Sequence, residues 1–223
     1  MISQDEQRKH RIAIPHYTLG EELMNSISHG VGALFGIVTL VLCVVRAAQS
    51  GDPYRIVSGA IFGFTVLILY LMSCLYHALK VNKAKRVFRV IDHCTIFLLI
   101  AGTYTPYTLV SLRDSVGWWV FGVIWATAIV GIVLNAVSLK KFSKISVALY
   151  LIMGWMIVIA YQPMVLAIPG GGVQLLVWGG VAYTVGAILY GVGSRKKYFH
   201  SIFHFFCLIG TVLHFLSVYL YVM

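Results

Sequence analysis

The run His200-Ser201-Ile202-Phe203-His204 places two imidazoles four residues apart inside an apolar segment. On a helix, residues i and i+4 lie one above the other, separated by a rise of roughly 6 Å, so both rings can reach one metal ion. Ser73 and His77 repeat that spacing at the end of an earlier apolar segment, and Asp92, followed by His93, opens the next one. Ionisable residues are expensive in such surroundings and usually functional. Three imidazoles suffice to hold zinc, which in catalytic sites keeps a fourth position for water. His77, His200 and His204 are therefore the candidate metal ligands. Zinc lowers the pKa of bound water from near 16 to roughly 7. Asp92 is placed to hold or deprotonate that water, and the Ser73 hydroxyl to orient Asp92 or donate to a developing oxyanion. HxxxH alone is a weak signal; its strength here depends on all five residues sharing one depth.

Whether they share a depth depends on the segments that carry them. The chain of 223 residues is 60% hydrophobic and 11% charged, with a mean hydropathy of +0.88, which excludes a soluble domain and indicates membrane spans. Seven apolar runs approach the roughly 20 residues needed to cross a hydrocarbon core, at 24–48, 54–79, 88–110, 116–139, 145–167, 173–192 and 199–222. The expected architecture is all-α: residues 1–23 form an amino-terminal segment and 24–223 a single seven-helix transmembrane domain. Turn chemistry separates several runs, at Ser50-Gly51-Asp52-Pro53, Arg113-Asp114-Ser115 and Pro169-Gly170-Gly171-Gly172. No internal repeat supports an inverted-repeat transporter, and no apolar run beside a small-residue cleavage site suggests a cleaved signal peptide.

Orientation follows from the basic residues. Arg8, Lys9 and Arg11 precede the first run; Lys80, Lys83, Lys85, Arg86 and Arg89 surround the second connection; Lys140, Lys141 and Lys144 fill the fourth; Arg195, Lys196 and Lys197 fill the sixth. Those fourteen alternate with Arg46, Arg55 and Arg113, the three on the other side. The positive-inside rule then predicts a cytoplasmic amino terminus and an outside carboxy terminus in a multi-pass protein of the cytoplasmic (inner) membrane. Trp118, Trp119, Tyr219 and Tyr221 fall near the outer interface, as an aromatic belt requires. The net charge of +10 reads as a topology signal, and nucleic acid is not an expected partner. On this topology Ser73, His77, Asp92, His200 and His204 lie in one shallow layer near the cytoplasmic face.

Blander roles compete for several residues. A single histidine in a membrane helix more often hydrogen-bonds a neighbouring helix than ligates a metal, which is the expectation for His29, His93 and His214. Ser73 alone reads as a back-bonded helix serine, and Asp92 can pair with an interfacial Lys or Arg. Thr18 followed by Glu21 matches a capping box, and Glu21 and Glu22 suit the first turn of a helix, although the topology also turns them towards the metal layer. Gly32 to Gly36 is a small-xxx-small packing motif, and Asn135 is a possible supporting group. Cys43, Cys74, Cys94 and Cys207 lack CxxC spacing and read as packing residues.

Glu21-Glu22 with Asn25, Ser28-His29-Gly30, Ser73 to His77, Asp92-His93-Cys94, Ala101 to Pro106, and His200 to His204 with Gly210 and His214-Phe215 together resemble the hemolysin III family. That family is the bacterial branch of the progestin and adipoQ receptor (PAQR) family, in a superfamily that includes alkaline ceramidases. The resemblance spans nearly the whole chain, with no departure at these positions. It implies a seven-helix protein holding zinc through His77, His200 and His204, with Asp92 and Ser73 beside the activated water. It further implies metal-dependent hydrolysis of an amide or ester in a membrane lipid, whose headgroup the cationic rim of Lys80, Lys83, Lys85 and Lys196 would attract. The alternatives are a zinc-stabilised sensor or regulator of membrane fluidity or energetics without turnover, a hemolysin-like cytolytic protein, and a proton or ion conductor using the His and Asp layer. Seven uniformly apolar spans offer no polar lumen for a pore. The particular lipid and any protein partner are not specified.

Overall fold

Helix boundaries in this chain are set by local chemistry before any packing. A computed structural model describes residues 14–192 and 196–223; Arg8, Lys9, Arg11 and Arg195, used in the charge count, lie outside them. Helix α1 spans Leu19–Ser50 and opens with the expected capping box, in which Thr18 and Glu21 exchange side-chain bonds with each other's backbone. Gly51 ends it in the left-handed conformation, at φ 68°, which glycine adopts without a steric penalty. Asp52 then caps α2 (Pro53–Ala78), with Pro53 at its first position, where a missing N–H is no loss. Asn82 caps α3 (Lys83–Pro106), its side chain accepting from the Lys85 N–H at 2.8 Å. Pro106 has no N–H to give the ladder, and the helix loosens into a π-helical turn at Tyr107–Ser111.

Helix α4 covers Gly117–Trp155, 39 residues, which would measure about 58 Å if straight, nearly twice a hydrocarbon core of roughly 30 Å. It is not straight: Ser138 leaves the helical region (φ −162°, ψ 92°), dividing it into two helices across a kink. A 3₁₀ turn at Met156–Ala160 leads into the short α5 (Tyr161–Ala167), followed by α6 (Gly170–Val192) and α7 (Phe199–Tyr221). Among the described residues there is no strand, and six helical stretches are long and apolar enough to cross a membrane, because 117–167 runs on as one. The expectation of an all-α membrane protein therefore stands, with the break between the fourth and fifth predicted runs reduced to the Ser138 kink.

Neighbours in sequence pack as neighbours in space, α1 on α2, α2 on α3, α3 on α4 and α6 on α7, and α1 also contacts α7. The α1–α2 contact is close because small residues line it, as the Gly32 to Gly36 spacing predicts. A Cβ added at Gly36 would stand 2.6 Å from the Leu67 Cα, and one at Gly32 would meet the buried Tyr70 ring. The core runs through Phe62, Val66, Tyr70, Phe97, Ile124 and Val218. Apolar side chains such as Val31, Leu34, Ile129 and Ile188 face outward, as lipid-facing residues do. With α2 and α7 both packed on α1, the last turns of α2 and the first turns of α7 come to the same end of the bundle.

Candidate metal centre

At that end α2 contributes His77 and α7 contributes His200 and His204. The His200 Nε2 lies 3.3 Å from the His77 Nε2, and the His204 Nε2 lies 3.1 Å from the His200 Nε2. One ligand atom from each of the three falls within 4.8 Å of the other two. A tetrahedral zinc with Zn–N bonds of about 2.0–2.1 Å separates its ligand nitrogens by roughly 3.3–3.4 Å. Three unprotonated imidazole nitrogens would gain nothing by meeting around an empty point, whereas a cation there satisfies every lone pair. The donor set and its spacing thus fit a metal ion of the zinc type.

The far side of His77 supports that use. Its Nδ1 lies 2.7 Å from Glu22 Oε2. Asn25 Nδ2 also stands 3.4 Å from that nitrogen, but the shorter carboxylate contact requires an N–H there. Nδ1 is then the donor, and Nε2 presents its lone pair to the centre. The Asn25 carboxamide oxygen instead accepts from the Ser201 hydroxyl at 2.6 Å, tying α1 to α7 one residue beyond His200. The other oxygen of Glu22 accepts from Lys85 Nζ at 2.5 Å, and Lys85 also donates to the Leu79 carbonyl at 2.9 Å. This corrects the sequence reading of Lys85 as part of an exposed cationic rim. Lys85 is 1% exposed, because the Asn82 cap fixes it in the first turn of α3, facing the Glu22 carboxylate. Lys80, Lys83 and Lys196 remain on the surface.

Asp92, on α3, is half-buried beside His77, and the Ser73 hydroxyl is its hydrogen-bond partner. Ser73 lies one turn before His77 on α2 and is 1% exposed. All five predicted site residues therefore share one layer. Tyr17, which the sequence reading passed over, stacks on His200 with ring centroids 5.1 Å apart and planes 18° from parallel. Burial raises its phenol well above the ordinary range, so it stays protonated. Only an aromatic preceding a capping box signalled it, which is too common a pattern to single out.

His29 stacks on His204 with ring centroids 3.5 Å apart, and neither of its ring nitrogens has a hydrogen-bond partner among the described residues. It packs against the candidate ligand His204 through its ring face, and does not act as the hydrogen-bonding glue expected of it. His214 does fill that role, its Nε2 lying 3.0 Å from the Leu176 carbonyl oxygen. Asn135 braces the kinked α4 against α3: its side chain accepts from Ser146 at 2.6 Å and donates to the His93 carbonyl at 3.4 Å. All four cysteines are free.

Comparison with known proteins covers the whole of this layer. The sequence model of the family described as Haemolysin-III related matches residues 17–215. The chain is 38% identical to Hemolysin-3 of Bacillus cereus over 203 residues, 91% of this chain and 92% of that one. It is 40% identical to a Hemolysin-3 homolog of Bacillus subtilis (strain 168) over 205 residues, 92% of this chain and 96% of that one. At greater distance it is 23% identical to the human monocyte to macrophage differentiation factor over 215 residues, covering 92% and 85%. No solved structure matches the chain.

Proposed function

Because the chain belongs to the haemolysin-III related family, we propose that it is a zinc protein of the cytoplasmic membrane that hydrolyses an amide or ester bond in a membrane lipid. The observation that carries this reading is the convergence of His77, His200 and His204 at separations of 3.1 and 3.3 Å, the spacing of one metal's ligands. In this reading the kink at Ser138 marks a turn between two crossings, the chain spans seven times, and the metal layer lies on the cytoplasmic side.

Zinc, when bound, would polarise the scissile carbonyl and make water nucleophilic at neutral pH. Glu22 holds the His77 ring in the tautomer that faces the centre. Asp92 accepts the proton of the attacking water and returns it to the leaving nitrogen or oxygen. Ser73 fixes the Asp92 carboxylate in the orientation that this transfer needs. A groove of about 370 Å³ between α1 and α7 is lined by Met24, Ile27, Ser28, Val31, Phe205 and Leu208. It opens at the same helical turns as Asn25 and His204 and suits an acyl chain. The lipid is the partner this reading requires.

A second reading, a zinc-stabilised membrane regulator without turnover, draws on the ring of Tyr17 stacked over His200, which encloses the centre. Elemental analysis of the purified protein, followed by a lipid-hydrolysis screen of the wild type and Asp92→Ala, separates the two. About one zinc per chain with turnover that vanishes in Asp92→Ala supports the hydrolase. Zinc without turnover in either protein leaves the regulator, and no metal sinks both.

A further inference from the structure

The helix carrying two of the three histidines starts in an unusual way. Tyr198 is the N-cap residue of α7, and it has no side-chain cap. Its backbone lies at φ 63°, ψ −3°, and it is the only non-glycine residue at positive φ among the described residues. A bulky residue in that region is an outlier, held there only when its surroundings require it. Its N–H donates to Glu21 Oε1 at 2.9 Å, across 177 positions of sequence. The other oxygen of Glu21, Oε2, accepts from the Thr18 N–H and the Thr18 hydroxyl, both at 2.8 Å. Glu21 is 6% exposed, so one buried carboxylate caps α1 and fixes the residue from which α7 begins. The Tyr198 hydroxyl sits over Gly20, where an added Cβ would stand 2.9 Å away, a second point of contact between the same two segments.

We propose that Glu21 is a positioning residue of the metal centre: through the Tyr198 N–H it sets the start of α7, and so the placement of His200, two residues on, against His77. A capping box alone needs only Oε2. The oxygen turned to Tyr198 contributes nothing to α1; it acts on the helix that bears the ligands. His200 is the ligand most exposed to an error at that end, since it lies in the first turn, whereas His204 sits one turn deeper and is 1% exposed. This inference rests on the metal reading above.

Glu21→Gln separates the two jobs, because a carboxamide has one acceptor oxygen and can keep the capping box or the Tyr198 contact, but not both. In apo protein reloaded with cobalt(II) or zinc in detergent, Glu21→Gln should weaken metal affinity by about 10-fold, in the range typical of groups that orient a ligand from behind, and alter the cobalt d–d spectrum. Adding Tyr198→Gly should restore most of the affinity, since glycine reaches positive φ unaided; Tyr198→Gly alone should stay near wild type. Unchanged affinity and spectrum in Glu21→Gln would overturn the proposal, as would failure of Tyr198→Gly to rescue. If the wild type takes up no cobalt or zinc, the metal reading fails separately. Amide exchange over Phe199–Ile202 then decides whether Glu21 holds the start of α7. It must quicken in Glu21→Gln and return in the double variant, and no change means that Glu21 serves α1 alone.

Discussion

Glu22 Oε2 lies 2.7 Å from His77 Nδ1, and the same carboxylate takes Lys85 Nζ on its other oxygen. Glu22→Gln keeps the shape but removes the charge that makes Nδ1 a donor and Nε2 a better ligand. Zinc affinity should fall 10- to 100-fold by competition titration. The side chain of Lys85 is 2% exposed, and stranding its ammonium beside a neutral amide should lower stability by ~3 kcal/mol. Lys85→Met in the Glu22→Gln background should recover the thermal midpoint and leave the affinity low. If both properties return together, the ion pair and the ligand contact are not separable functions of Glu22.

Metal removal should act on the helices that share the site. Zinc bound to the folded state alone stabilises it by RT ln(1 + [L]/Kd), about 2.7 kcal/mol at a concentration 100-fold above Kd. Excess chelator should therefore lower the thermal midpoint of the wild type in detergent by several degrees, and zinc should restore it. The His200→Ala, His204→Ala double variant should show neither response. A wild type indifferent to chelator would mean that the three rings are held by packing alone.

The parts of this site that follow helical periodicity were readable without coordinates. His200 with His204, and Ser73 with His77, are pairs four residues apart, and any helix brings such pairs onto one face. Their shared depth followed from alternation of basic connections. What could not be read depends on contacts between distant segments: Lys85 and Glu22 lie 63 positions apart, and a lysine beside other lysines looks like a surface charge until its helix is rotated into place. The positive φ of Tyr198 was hidden because bulky residues rarely occupy it. The weak break in α4 has a local cause, since Ser138-Leu139-Lys140-Lys141 contains neither Pro nor Gly, and helix resumes after one distorted residue.

Gly36 tests the close approach of α1 and α2 that brings Glu22 to His77. An added Cβ would stand 2.6 Å from the Leu67 Cα and 2.8 Å from the Leu67 nitrogen, and backbone cannot yield as a side-chain tip can. Gly36→Ala should cost about 1–3 kcal/mol through forced separation of the two helices. Gly122→Ala, at an exposed position with nothing within 4 Å of the added atom, should be near neutral. The comparison is made by thermal unfolding in the same detergent. Equal midpoints would mean that α1 and α2 can separate at Gly36 without cost.

Tyr17 should govern how readily a metal ion bound by the three histidines exchanges. Its ring covers His200 at 5.1 Å and lies tilted against His77 at 5.8 Å, so an ion leaving towards the amino-terminal segment must displace it. The phenol is protonated, and its ring face is stacked on the His200 imidazole. Tyr17→Ala should speed zinc loss to a fluorescent chelator several-fold, with a smaller change in equilibrium affinity, since the three nitrogens are untouched. Tyr17→Phe keeps the stack and should release zinc at the wild-type rate. Were Phe to behave like Ala, the hydroxyl would be the group that matters, and Tyr17 would be contributing a polar contact to the centre in place of a cover over it.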